Sequence, residues 1–243
     1  LAGIQSVATD KGVLCIVKNY TGDIMNFEMA IDMAKDEDIE ADYVVVNDDV
    51  AVKDSLYTTG RRGVAGTVLV HKIAGAKAEQ GASLAEVKAV GEKVIANVRT
   101  MGMAIAPCTV PAVGKPGFEL ADDEVEIGIG IHGEPGTTRE KLSTADETAK
   151  KLLDKVLADL DFKGQEVVVM VNGMGATPLM ELYIINNFVQ DYLNEQGVKV
   201  YDTMVGNYMT SIEMAGFSLT LLRLDDEMKA LYDAKADTPA LKR

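Results

Sequence analysis

Tryptophan is missing from these 243 residues, and cysteine and histidine occur only twice each. Cys15 sits in an apolar run and Cys108 in a Pro-flanked loop, which makes neither a disulfide framework nor a metal motif. His71 and His132 have no Cys or carboxylate neighbours at zinc-ligand spacing. No apolar run is long enough to cross a bilayer. Basic residues are scarce too: 24 Lys and Arg face 38 Asp and Glu, for a net charge of −14. Nucleic acids and anionic membranes are bound by clustered positive charge, so neither is an expected partner. A reduced, cytoplasmic location is the simplest expectation.

What the chain does have is enough length and apolar content, 47%, to bury a sizeable core. Val13–Val17 and Tyr43–Val46 are continuous apolar runs, the pattern of strands buried on both faces. Helical periodicity covers Ile24–Lys35 and Val64–Ala78, and Ser83-Leu-Ala-Glu86 is a capping box that opens a helix to about Val98. A second capping box, Thr144-Ala-Asp-Glu147, precedes an apolar stripe through Leu152, Leu153 and Val156, which reads as core. Strands are expected at Ile127–Ile131, Val167–Val171, Val198–Val205 and Phe217–Leu224. The fold class is therefore α/β: two layered α/β domains with largely parallel or mixed sheets. Residues 1–98 are expected to form the C-terminal portion of a first domain, and residues 99–243 a second. Leu1–Ala8 reads like the middle of a helix and begins without Met, so an N-terminal piece is expected to be missing.

His132 is the most informative position. Ile127, Ile129 and Ile131 alternate with Gly128, Gly130 and His132, so a strand would place the imidazole beside two residues with no side chain. That spacing predicts a nucleophilic ring cleared for a ligand. Lys18 and Asp23 flank a polar turn after a buried strand, where open α/β sheets bind ligands. Asp23 there reads either as a proton acceptor or as an acid capping a helix, and Lys18 as a substrate contact or a solvated charge. Asn172-Gly-Met-Gly-Ala-Thr-Pro178 lacks the lysine and the third glycine of the phosphate-binding motifs, and reads as a structural turn. Gly60-Arg-Arg-Gly63 could hold an anion or a partner carboxylate but reads as two exposed arginines, Asp48/Asp49/Asp54 could hold a cation but reads as a solvated acidic loop, and His71 reads as structural.

Several strings together resemble the substrate-binding subunit of dihydroxyacetone kinase over nearly the whole chain. They are Lys18-Asn-Tyr-Thr-Gly-Asp23, Asp48-Asp-Val-Ala-Val-Lys-Asp-Ser-Leu-Tyr57, Gly60-Arg-Arg-Gly63, Cys108-Thr-Val-Pro-Ala112, Gly128-Ile-Gly-Ile-His-Gly-Glu-Pro-Gly136, Asn172-Gly-Met-Gly-Ala-Thr-Pro-Leu179 and Gly216-Phe-Ser-Leu-Thr-Leu-Leu222. The resemblance implies that His132 holds dihydroxyacetone as a covalent hemiaminal, that Asp23 is the general base and that Lys18 contacts the substrate. The family's upstream Gly-Gly-Gly-Ser-Gly-His-Glu-Pro loop has no counterpart in this sequence.

The resemblance also implies partners. No cofactor is expected on this chain; a magnesium-bound ADP or ATP belongs to a nucleotide-binding kinase subunit or to a C-terminal domain. The chain stops at Leu241-Lys-Arg243, where the family's substrate module closes, which favours the separate subunit with a phosphotransferase-system phosphoryl donor. A homodimer active in glycerol metabolism is expected. The alternative is a non-catalytic paralogue that binds dihydroxyacetone and acts as a transcriptional co-activator.

Overall fold

The computed structural model describes residues 1–53 and 59–243. The chain forms two compact α/β units, and each has its own sheet.

The first unit comprises Leu1–Asp48, Asp54–Asn97 and Asp225–Arg243. Strands β1 (Val13–Lys18) and β2 (Ala41–Val46) pair in parallel, from Val13 opposite Ala41 to Lys18 opposite Val46. Helix α1 (Ala2–Val7) precedes them, and α2 (Thr21–Lys35) is the crossover that returns the chain for parallel pairing. Cys15, Val17, Ile31, Ala34 and Ala41 close the core between strands and crossover. Helices α3 (Thr67–Glu79) and α4 (Leu84–Asn97) follow. The Ser83 box forms as its sequence dictates: Glu86 accepts from the Ser83 N–H, and the Ser83 hydroxyl accepts from the Glu86 N–H.

The unit closes with helix α7 (Asp226–Asp233), which buries Met228, Leu231 and Tyr232 and is also tied by lysines. Lys72 is buried and donates to the Leu231 carbonyl at 2.7 Å, while Lys93 pairs with both Asp225 and Glu227. The C-terminal segment therefore belongs with the first unit, whereas the 1–98 and 99–243 division assigned it to the second. The apolar face of α7, Met228, Leu231 and Tyr232, shows that the helix is packed but not which unit it packs on.

The second unit comprises Asp49–Lys53 and Val98–Leu224. Its strands are β3 (Val98–Ala106), β4 (Glu124–Ile127), β5 (Thr138–Lys141), β6 (Glu166–Gly173), β7 (Lys199–Gly206) and β8 (Ala215–Arg223). They form one mixed sheet in the order β5-β4-β3-β8-β6-β7, in which only β6 and β7 are parallel. Helices α5 (Ala145–Asp159) and α6 (Leu179–Glu195) share a core with the sheet. Leu152, Leu153, Val156, Leu182, Val189 and Leu193 pack with Val167, Val169, Val171, Leu219 and Leu221. Alternate residues of β6 and β8 supply that face, which is the period of two expected of strands. Helix α7 (Asp226–Asp233) then returns the chain to the first unit, with Asp225 capping it through the Met228 N–H.

Candidate functional site

His132 does not lie on a strand. Strand β4 stops at Ile127, and Gly128 has a φ of +77°, which breaks the extended run expected through Ile131. A Cβ on Gly128 would sit 2.8 Å from the Ala51 Cβ and 3.2 Å from the Thr137 hydroxyl. This glycine therefore serves the turn and a close contact; it does not clear space beside the imidazole. The isoleucines are buried for another reason. Ile129 anchors the loop among Ala104, Cys108, Met174 and Met214, and Ile131 is buried too, so a loop with apolar anchors mimics a strand's alternation.

The loop is closed at both levels. At its tip, Gly130 N–H donates to the Glu134 carbonyl at 3.1 Å. At its base, Thr137 N–H donates to the Ile127 carbonyl at 2.7 Å, and Gly136 N–H donates to Glu126 Oε1 at 2.9 Å. Arg139 Nε approaches the other oxygen of Glu126 at 3.3 Å. The backbone carrying His132 is thus held without using its ring.

That ring is 55% exposed, yet its Nδ1 lies 2.8 Å from Oε1 of Glu134, whose side chain is 7% exposed. Glu134 Oε2 also accepts the His132 backbone N–H at 2.9 Å. Burial pushes the Glu134 carboxyl up. Hydrogen bonds from the His132 ring and from the backbone N–H groups of Glu134 and His132 outweigh it and hold the carboxyl below the usual glutamate range. An ionised carboxylate can only accept, so Nδ1 carries the shared hydrogen, and whenever the ring is neutral its lone pair is on Nε2.

Lys18 and Asp23 flank one turn in the first unit. Lys18 is the last residue of β1, Asn19 N–H donates to the Val46 carbonyl at 2.9 Å, and α2 begins at Thr21. Asp23 is exposed in the first turn of α2, where the helix dipole favours a carboxylate. The adjoining loop is fitted tightly onto this corner. Asn19 Nδ2 donates to the carbonyls of Thr59 and Arg61, and a Cβ on Gly63 would lie 2.8 Å from the Lys18 Cα. Arg62 is fully buried, so the reading of two exposed arginines does not hold. Asp48 is buried as well and accepts the N–H groups of Val64 and Gly66, while Asp49 accepts from Ala51. Both acids brace backbone; Asp54 lies outside the described residues. His71, on α3, is held below the ordinary histidine range by desolvation and then by the charge of Lys18. Sequence reasoning missed that Lys18 neighbour, because helix and strand are far apart in the chain.

The glycines of Asn172–Pro178 are packing glycines. A Cβ on Gly173 would meet Asn207 Oδ1 at 2.4 Å, and one on Gly175 would meet the Ile212 carbonyl at 2.0 Å. Asn172 itself is spent on structure, accepting from the N–H groups of Tyr208 and Met209 and donating to the Met209 carbonyl and Ser218 Oγ. Among the described residues, no group of three or more His, Cys, Asp or Glu is placed to hold a metal ion, and no helix is long and apolar enough to cross a membrane.

Comparison with known proteins places this arrangement. The dihydroxyacetone-binding subunit DhaK of the PTS-dependent dihydroxyacetone kinase 1 of Listeria innocua is 62% identical over 226 residues, covering 93% of this chain and 69% of that protein. The solved structure of a dihydroxyacetone kinase operon co-activator, DhaQ, superposes with a TM-score of 0.90 at 38% identity, over 96% of this chain and 73% of that one. The dihydroxyacetone kinase of C. freundii, solved in complex with AMP-PNP and Mg2+, matches with a TM-score of 0.87 at 33% identity, over 95% of this chain and 42% of that one. The model of the Dak1 domain matches residues 1–240, both units included, and this chain accordingly belongs to the Dak1 domain family.

Proposed function

We propose that this chain is a kinase subunit that captures dihydroxyacetone on His132 and presents it for phosphorylation. The observation that carries the reading is the exposed His132 ring, tied through Nδ1 and so left with a nucleophilic Nε2. The Nε2 lone pair adds to the ketone carbon, the π pair moves onto oxygen, and that oxygen takes a proton from water. Nothing leaves, and a hemiaminal results. Glycerol has no carbonyl and cannot react, so the chemistry itself discriminates between a short keto sugar and a polyol. Asp23 accepts the proton of the hydroxyl that attacks the phosphoryl group, and Lys18 contacts the substrate. Dihydroxyacetone phosphate is the product.

The phosphoryl donor is a magnesium nucleotide carried by a partner subunit, recharged by a phosphotransferase-system protein, as the name of the Listeria relative suggests. The Asn172–Pro178 loop supports this, since it lacks the lysine and the third glycine of the phosphate-binding motifs. The matched C. freundii kinase, crystallised with AMP-PNP and Mg2+, extends well beyond the portion that this chain covers. The subunit works as a cytoplasmic homodimer in glycerol metabolism.

Intact-protein mass spectrometry with dihydroxyacetone is the test. One whole dihydroxyacetone should be added, without loss of water, and [2-13C]dihydroxyacetone should lose its ketone signal to a carbon bonded to oxygen and nitrogen. His132→Ala should abolish both, and an adduct that persists in that variant would overturn the assignment. The close superposition on DhaQ favours one competing reading, a co-activator that binds the same compound. Phosphoryl transfer in the presence of a nucleotide-carrying subunit separates the two.

A further inference from the structure

We infer that Glu134 is the positioning residue for covalent capture, setting the tautomer of His132 and supplying the counter-charge of its adduct. The inference rests on the capture chemistry proposed above and goes beyond it, because capture by His132 does not require any particular partner at Nδ1.

Glu134 is suited to this by geometry. It lies two residues along the same loop, and each of its carboxylate oxygens meets one hydrogen of His132, Oε1 at the ring and Oε2 at the backbone N–H. The two contacts fix both the ring's rotation and its height above the loop. The carboxylate is buried while the ring is 55% exposed, so water competes poorly for the Nδ1 contact. A carboxylate that accepts from one nitrogen of an imidazole fixes which nitrogen is protonated and raises the basicity of the other.

The charge balance makes a further demand. When Nε2 bonds to the ketone carbon and the new oxygen takes a proton from water, one proton has been added to a neutral ring and a neutral ketone. The ring, still protonated at Nδ1, becomes a cation. Glu134 then faces a full positive charge at hydrogen-bond distance, where before it faced an N–H dipole. The interaction is stronger in the adduct than in the free enzyme, which is the condition for it to drive capture. The triad aspartate of serine proteases acts on its histidine by the same logic.

Glu134→Gln keeps the size and an acceptor oxygen but removes the charge, and its amide can satisfy either ring tautomer. The dihydroxyacetone concentration needed for half-conversion to adduct should rise by about 10- to 100-fold, the usual scale for losing such a partner. Long-range 1H–15N spectra of the free protein should show that His132 loses its single Nδ1-protonated tautomer. Glu134→Asp, which restores the charge on a shorter arm, should recover part of the affinity. Thermal melts of all three proteins separate these effects from simple loosening of the loop. If wild type forms adduct and Glu134→Gln forms it at the same concentration with the same tautomer, the inference fails while capture stands. If Glu134→Gln does not fold, the Asp variant decides: a folded Asp variant with affinity no better than that of a His132→Ala control also overturns it. Failure of wild type to form any adduct sinks the capture reading itself.

Discussion

Gly136 lies against the Ile127 carbonyl so closely that a Cβ there would come within 2.1 Å of the oxygen. No rotamer relieves a backbone contact of that kind. The chain would have to part at the base of the His132 loop, breaking the Thr137 and Gly136 hydrogen bonds. Gly136→Ala should therefore cost on the order of 3 kcal/mol or more and abolish adduct formation. Gly75→Ala is the control: in α3 a Cβ at that position meets nothing within 4 Å, so the change should stabilise by about 0.5–1 kcal/mol through helix propensity. Paired thermal or denaturant melts read both signs.

Thr177 Oγ1 donates to the Gly216 carbonyl at 2.7 Å and accepts the Gly216 N–H at 2.9 Å, all within buried surroundings. Thr177→Val keeps the shape and orphans the Gly216 N–H, at about 1–3 kcal/mol where it stays unsatisfied, while the Gly216 carbonyl keeps the Met174 N–H at 3.2 Å. Thr177→Ser should retain most of the stability. A denaturant midpoint for valine equal to that of wild type would contradict this account.

His71 links stability to pH. His71 keeps an exposed edge on α3, and partial desolvation first and the charge of Lys18 second lower its folded-state value from an ordinary value of about 6.5, by an amount that solvent screening keeps small. Between the lowered value and about 6.5 the unfolded chain binds more protons than the fold does, so stability falls as pH drops through that window. His71→Gln should flatten the acid side of the stability curve. Lys18→Met should raise the His71 titration part of the way back, leaving the contribution of burial. With two histidines in the chain, a 1H–15N titration, assigned with His132→Ala, measures it directly.

Asp23→Asn retains the first-turn geometry of α2 and removes the proton acceptor. Turnover with the nucleotide subunit should fall by roughly 10²–10⁴, while capture of dihydroxyacetone on His132 is unchanged. Adduct measured by mass spectrometry and product measured by coupled assay give the two halves of this expectation separately.

The hydrophobic runs, both capping boxes and the α5 stripe were legible because each is a local pattern with one physical solution. The parallel pairing of β1 with β2 was also legible, since two buried runs around a helix leave few alternatives. The Ile127–Ile131 segment misled because apolar alternation records which residues are buried, not whether the backbone is extended. Gly128, with its positive φ, was the available sign of a turn. Arg62 was misread as exposed and Glu134 went unassigned for a common reason. A charged residue in a loop reads as solvated until the partners that hold it are known, and those partners are a matter of tertiary placement or of a turn's detailed shape.

Val98 opens β3 and lies opposite Leu222 near the end of β8, so the chain enters and leaves the second unit at neighbouring positions. The first unit accordingly experiences that long excursion as if it were a short connection. Its loop-closure entropy is set by the spacing of the two ends rather than by the residues between them, so long as the excursion stays folded. If the second unit melts, the connection becomes a long flexible loop, and holding α7 beside α3 and α4 becomes entropically dearer. Each fold thereby lends the other cooperativity through chain connectivity alone, and nicking the backbone next to Leu224 would cut that link while leaving the β3–β8 pairing intact.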